Sequence, residues 1–356
     1  MNKSGRRFMR GSILAAGILA AAFAGTASAE EATLTLNTPG GAVQEGGRAV
    51  LWGPAAKKLG VQVKEETADN ALDVLRLEVG SNSVKTDIII MSGYQAAIAG
   101  AEGMLEPIDY KAVDASEFLP GTAAPYCVGI YGYAAVMAWN TKTYAKDAPS
   151  SWADFWNVEK FPGKRSMRSD AEAQVEMALL ADGVAPKDVY KVLGTEDGIK
   201  RAIAKIATLK PSISVWWSSG AQHGQLMKDG EVDMTTGWNG RFQTAKEAGG
   251  PVNYTYNQGI LTYDCFAVTK GSTHKAEAMK MINEMSSAQS QAGLTKYVSY
   301  GPLNQGAYKT GIISKEAEAV LPTSPANSGA MIVQDIDWWA KNNDHVQQLF
   351  EDMMTE

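Results

Sequence analysis

Histidine and cysteine are scarce in this chain of 356 residues: three histidines (His223, His274, His345) and two cysteines (Cys127, Cys265). They are far apart in sequence, so no Cys/His spacing of the kind that holds zinc occurs, and no metal site is expected. Nucleophile and phosphate motifs are also missing. There is no GxSxG elbow, no HExxH and no GxxxxGK[ST]. The pairs Gly40-Gly41 and Gly46-Gly47 lack a GxGxxG context, and acidic pairs such as Glu65-Glu66 read as solvated faces. With no nucleophile–base motif and no metal cluster, an enzyme is not expected, nor is a cofactor. Basic excess is absent as well. The net charge is −6 with no basic run, which disfavours a nucleic-acid partner. Mild acidity instead suits a cationic or zwitterionic small ligand. No internal repeat, low-complexity segment or long Gly/Ser/Pro linker divides the chain.

What is present begins at the N-terminus. Lys3, Arg6, Arg7 and Arg10 precede a continuous apolar stretch from Gly11 to Gly25, and Ala27-Ser28-Ala29 place small residues before Glu30. This is the layout of a secretory signal cleaved near Ala29. The apolar stretch falls short of the roughly 20 residues that a membrane-spanning helix needs. Arg6-Arg7-Phe8 hints at a twin-arginine signal without the usual spacer, which leaves both export routes open. No cysteine follows the cleavage point, so no lipid anchor is expected there, and no second apolar run approaches spanning length. The mature chain is expected free in a periplasm, without stable membrane insertion. In such an oxidising compartment Cys127 and Cys265 read as one disulfide, with two buried free thiols as the alternative.

The length exceeds one ordinary core and suits two lobes. Apolar content of 45% and charged content of 20% are those of a soluble globular protein. Thr33–Asn37 alternates as a strand, Val50–Leu59 reads as a helix and Val61–Glu65 as the next strand. Asp69–Val79 repeats Leu72, Leu75 and Val79 at helical spacing. Asp87–Met91 is a continuous β-branched run, as in a buried parallel strand, and Ile98–Gly103 closes a further helix. Tyr131–Trp139, Val232–Thr236 and Cys265–Thr269 read as strands. Ala173–Leu180, the stripe Ile199, Ala202, Ile203 and Ile206, and the set Ala276, Met279, Ile282 and Met285 read as helices. Alternating strands and helices indicate parallel α/β layers. Most Trp and Met residues, including Trp216-Trp217 and Trp338-Trp339, read as core.

Five stretches in order resemble a known family. They are Thr86–Tyr94 (TDIIIMSGY) followed by Gly103–Asp109 (GMLEPID); Trp139-Asn140 with Pro149–Trp156 (PSSWADFW); Gly230–Met234 with Gly237–Arg241 (GWNGR); Tyr263–Val268 (YDCFAV); and Tyr300–Asn304 (YGPLN). Together they are similar to the family-1 type extracellular solute-binding proteins of ABC importers, in particular the spermidine/putrescine-binding branch. The resemblance spans most of the mature chain. It implies an α/β, two-lobed periplasmic-binding-protein fold of type II, with the ligand sealed in the cleft by hinge closure. It implies a first lobe of residues 30–134 with 263–308 and a second of 135–262 with 309–356, after a signal over 1–29. It places Cys127 and Cys265 near two chain crossings, which favours their pairing. It implies a monomer that delivers a small amine or amino-acid ligand to an ABC importer permease.

The resemblance also assigns cleft positions. Thr38 follows the first strand, Ser92 and Tyr94 match the cleft edge of the first lobe, and Tyr300 matches a tyrosine near the hinge. Trp238 matches the tryptophan that flattens against an aliphatic amine, and Asp264 the carboxylate that grips a primary ammonium. Polyamine binders add a pair of acids three apart. Here the first matches Asp170, but the second falls on Ala173, and Glu172 is expected to face elsewhere. Arg241 stands where a small residue is usual. A buried arginine beside the ligand needs an anion, and a guanidinium fork suits a carboxylate; pairing with Asp170 is the alternative. The expectation is therefore a zwitterionic ω-amino acid such as 4-aminobutyrate, with a polyamine as the runner-up. A sensor docking on a receptor would show the same sequence features. An iron carrier would need adjacent tyrosines, and no Tyr-Tyr pair occurs.

Overall fold

The computed structural model describes residues 31–68 and 70–356. The expected signal segment and its cleavage near Ala29 lie outside the described residues, as does Asp69.

The strands are β1 (Thr33–Thr38), β2 (Gln62–Thr67), β3 (Ile88–Ser92), β4 (Leu105–Glu106), β5 (Val128–Asn140), β6 (Arg165–Arg168), β7 (Ile213–Trp217), β8 (Met234–Trp238), β9 (Val252–Thr269), β10 (Gly301–Pro302) and β11 (Ile332–Val333). Before β5 the helices are α1 (Gly41–Val50), α2 (Trp52–Leu59), α3 (Ala71–Gly80) and α4 (Gly93–Ala101). Between β5 and β9 lie α5 (Trp152–Trp156), α6 (Gln174–Ala181), α7 (Val189–Leu193), α8 (Glu196–Leu209), α9 (Gly220–Asp229) and α10 (Asn239–Glu247). After β9 follow α11 (Lys275–Met285), α12 (Ala288–Leu294), α13 (Lys315–Val320) and α14 (Ile336–Thr355).

The main path of the sheet runs β2-β1-β3-β9-β5-β8-β6-β7. Parallel strands β2, β1 and β3 form one side and parallel strands β8, β6 and β7 the other. Between them, antiparallel β9 and β5 run through both halves. At about 3.3 Å per residue, the 18 residues of β9 reach about 60 Å, long enough to serve two lobes. Register shifts at Gly129/Tyr131 and Ala135/Met137 bend β5 on either side of the crossing.

Each half has cores on both faces of its sheet. In β3, Ile88 and Ile90 pack with Leu34, Leu36, Phe266 and Met281, while Ile89 and Met91 pack oppositely with Leu75, Ala96 and Cys265. That period-2 split accounts for the continuous apolar run. In the other half, the α8 stripe Ile199, Ala202, Ile203 and Ile206 is buried with Phe155, Leu179, Trp338, Trp339 and Phe350. Thr195 caps α8 by accepting from Gly198 N–H. Helix α14 packs against α4 in the first half and α8 in the second. Its Trp339 Nε1 donates to Glu176 at 2.6 Å and its Trp338 Nε1 to the Leu193 carbonyl at 3.0 Å. Cys127, just before β5, and Cys265 in β9 form a disulfide with Cα atoms 5.6 Å apart.

Some elements differ from the sequence reading. The expected helix Val50–Leu59 is two helices that meet at Leu51, and α1 reaches back to Gly41. Glycines hid α1: a Cβ at Gly47 would fall 1.8 Å from the Trp52 ring, so the helix needs a bare backbone there to pack. Strand β8 begins at Met234 and ends at Trp238, two residues beyond the expected end. The strand expected from Cys265 is the end of β9, so Asp264 sits well inside a strand rather than opening one.

Candidate functional site

The cleft floor is set by sheet register. Asp264 lies directly opposite Ser92 of β3 on one side and Tyr131 of β5 on the other. Directly opposed residues share a face, and so do residues two apart, so Ser92, Asp264, Tyr131 and Tyr133 point the same way. Tyr131 Oη donates to Asp264 Oδ2 at 2.7 Å and Tyr133 Oη to Oδ1 at 3.1 Å. Burial pushes the Asp264 pKa up, and the two hydroxyl donors pull it down. Burial and the Asp264 charge hold both tyrosines well above their ordinary pKa, so they remain donors.

Aromatic rings wall this carboxylate. Tyr131 and Tyr300 stack with centroids 5.1 Å apart, Tyr133 meets Trp238 edge-on at 5.2 Å, and Tyr133 lies 5.5 Å from Tyr300. An anion inside an aromatic box is matched to a cation that brings aliphatic carbon with it. The box is fixed from behind. Trp238 ends β8, and its N–H donates to His223 Nε2 at 3.1 Å, which places the ring proton on Nδ1. Burial among Trp217 and Phe242, with Arg241 nearby, lowers the His223 pKa to about 3 and keeps it neutral. Gly240 is needed beside the box, because a Cβ there would come within 2.8 Å of the Tyr300 ring.

A second cluster stands on the far wall. Arg168, at the end of β6, donates through Nε to Asp170 Oδ2 at 2.7 Å and pairs through Nη1 with Glu172 Oε2 at 2.9 Å. Its guanidinium lies 5.4 Å from the Trp238 ring and 5.8 Å from the Trp217 ring. Burial opposes the Arg168 charge, but Glu172 and Asp170 outweigh it and raise its pKa. Burial raises the Glu172 pKa against the pull of Arg168.

The cleft enclosed by these groups has a volume of about 1030 Å³. Of the expected residues, Ser92, Tyr94, Trp238, Arg241, Asp264 and Tyr300 line it. Thr38 does not. It is fully buried at the end of β1, and the following turn, Pro39 to Val43, faces the cleft in its place. Asp170 also stands back from the lining, engaged with Arg168. Glu172, expected to face elsewhere, lines the cleft. Residues 169–173 are not helical, and across this irregular stretch Glu172 comes back to pair with Arg168, while Ala173 takes a left-handed φ of 64° ahead of α6. Arg241, expected to be buried, is exposed in the first turn of α10, with no hydrogen bond or ion pair among the described residues. Asp170 pairs with Arg168, not with Arg241. Sequence reasoning missed Tyr131 and Tyr133, whose spacing of two along a strand was the available signal, and it missed Arg168.

The chain matches the sequence profile of bacterial extracellular solute-binding proteins over residues 54–322. It is 34% identical to the gamma-aminobutyric acid-binding protein of Pseudomonas aeruginosa, over 92% of this chain and 93% of that one. Among solved structures, it is 38% identical to the periplasmic binding protein MotA of A. tumefaciens B6 in complex with glucopine, with a TM-score of 0.80 over 90% of this chain and 99% of that one. It is 36% identical to an ABC transporter substrate-binding protein from Bradyrhizobium japonicum, with a TM-score of 0.85 over 91% of this chain and 100% of that one. These relatives are binding proteins, not enzymes.

Proposed function

The chain belongs to the bacterial extracellular solute-binding proteins, and from that membership we propose that it captures a small ω-amino acid such as 4-aminobutyrate in the periplasm for an ABC importer permease. The ammonium enters the box of Tyr131, Tyr133, Trp238 and Tyr300 and pairs with Asp264. The carboxylate is taken by Arg241, with Ser92 and Tyr94 on the opposite edge. The carrying observation is the opposition of a walled carboxylate, Asp264, to an unpaired guanidinium, Arg241, on one cleft. The gamma-aminobutyric acid-binding relative supports the same ligand class. The lobes that close on it are 30–134 with 263–308 and 135–262 with 309–356, and β5 and β9 are the hinge.

Calorimetric titration of the mature protein with 4-aminobutyrate, putrescine, spermidine and glucopine tests this reading. Tight 4-aminobutyrate binding is expected. Tight putrescine or spermidine binding without 4-aminobutyrate binding overturns it, and glucopine binding alone would replace the small ligand with a bulkier one, for which the cleft volume leaves room. Arg241→Ala is expected to weaken 4-aminobutyrate at least tenfold, since a charge-assisted pair contributes about 1.5–3 kcal/mol.

A further inference from the structure

We propose that Arg168 is a built-in counter-cation that sets ligand specificity: it occupies the second acidic pole of the cleft and thereby excludes α,ω-diamines. This rests on the reading of the cleft as an amine site. Apart from Glu247, which accepts from Gln243, the acids in and behind the cleft form two poles, Asp264 in the aromatic box and the pair Asp170 and Glu172 on the far wall. Glu172 and Asp264 both line the same space, and both charges are felt at Tyr94 and Tyr133 between them. Two carboxylate poles joined by an aromatic wall are matched, in chemistry, to a dication with an aliphatic spacer: one ammonium at each pole and methylenes against Tyr133 and Trp238.

In this chain the far pole is already filled. The Arg168 fork takes one oxygen of Asp170 and one of Glu172. The faces of Trp217 and Trp238 hold the guanidinium in place. Its backbone is anchored as well, because Gln174 Nε2 donates to the carbonyls of Arg168 and Asp170. A second ammonium would have to displace a partly buried guanidinium held by two carboxylates, which would leave that positive charge unpaired. One amine position therefore remains, at Asp264, while Arg241 and Lys296 line the cleft without an ion pair among the described residues. Arg168 converts a dication pattern into a monoamine pattern without removing either acid.

The test is titration of the wild-type mature protein, Arg168→Met and Arg168→Gln with putrescine, alongside 4-aminobutyrate, with thermal melts to confirm folding. Methionine keeps the contact between the two tryptophans and removes the charge. The wild type is expected to bind putrescine weakly, and a folded Arg168 variant to bind it at least tenfold tighter. Adding Glu172→Gln to that variant is expected to cancel the gain. Wild-type putrescine binding as tight as that of the variant overturns the proposal, and so does the absence of a gain in a folded Met or Gln variant. Failure of 4-aminobutyrate to bind the wild type counts against the proposed ligand alone, since the putrescine comparison reads Arg168 independently.

Discussion

Asp264 sits directly across the β5–β9 ladder from Tyr131, whose hydroxyl donates to its Oδ2 at 2.7 Å. The pair is the base of the aromatic box, and the two members should not contribute equally. Asp264→Asn removes the carboxylate that faces the ammonium and should weaken 4-aminobutyrate on the order of 100-fold, about 3 kcal/mol. Tyr131→Phe removes one donor to a carboxylate that keeps Tyr133, and should cost about tenfold. Calorimetry on both variants checks the ranking.

Gly240→Ala tests the packing of the box wall. The added Cβ would lie 2.8 Å from Tyr300 Cε1, so the ring must move. Binding should fall at least tenfold while the melting temperature drops little, because alanine suits the first turn of α10 better than glycine does. A large loss of melting temperature would place the cost in the fold rather than the ring.

Glu176 carries a pH dependence. It is fully buried, accepts from Tyr190 Oη at 2.7 Å and Trp339 Nε1 at 2.6 Å, and burial raises its pKa to about 7. A carboxyl whose folded pKa lies above its unfolded value lends stability that is complete below about pH 4.5 and is lost as pH rises through about 7. The span corresponds to about 3 kcal/mol. Glu176→Gln keeps the acceptor and cannot ionise. The variant should gain stability relative to wild type between pH 5 and 8, measured as the difference of denaturation midpoints, so that other titrating groups cancel. A difference that stays flat with pH contradicts the assignment.

The disulfide closes a loop with a sequence separation of 138, for which the chain-entropy term is about 5 kcal/mol at most. Cys127→Ala with Cys265→Ala should lower the denaturation midpoint markedly. Intact-mass measurement of the mature wild type should show two hydrogens fewer than the reduced chain. Both sulfurs are buried, so reduction under native conditions should be slow.

The parts of the fold most legible in the sequence are those governed by local periodicity. The α8 stripe and the run at Ile88–Met91 announce themselves because burial repeats at 3.6 and because both faces of β3 are covered. Helix α1 does not, since its glycines read as breakers until Trp52 is seen filling the space they leave. Within the site, Ser92, Tyr94, Trp238, Arg241, Asp264 and Tyr300 were named from motif position and reach the cleft. Glu172 was misjudged because it stands one residue short of the second acid in the family pattern, and the irregular backbone of residues 169–173 brings it to Arg168 all the same. Arg168 was invisible because its role depends on two acids that follow it and two tryptophans from other strands. The partners of Tyr131 lie more than 130 residues away in the chain, so only register brings them together.

The strands that carry Tyr131, Tyr133 and Asp264 are the two that both halves of the sheet share. A fulcrum does not travel with the arms it supports. On the proposed closure, the floor of the seat, Asp264 with Tyr131 and Tyr133, would stay in place, whereas Trp238 and Arg241, three residues apart at the end of β8 and the start of α10, would arrive together. An amine of the right shape but without a carboxylate would then reach that floor with nothing to engage Arg241. Such a molecule would be a decoy, holding the carrier in a form the importer has no reason to accept.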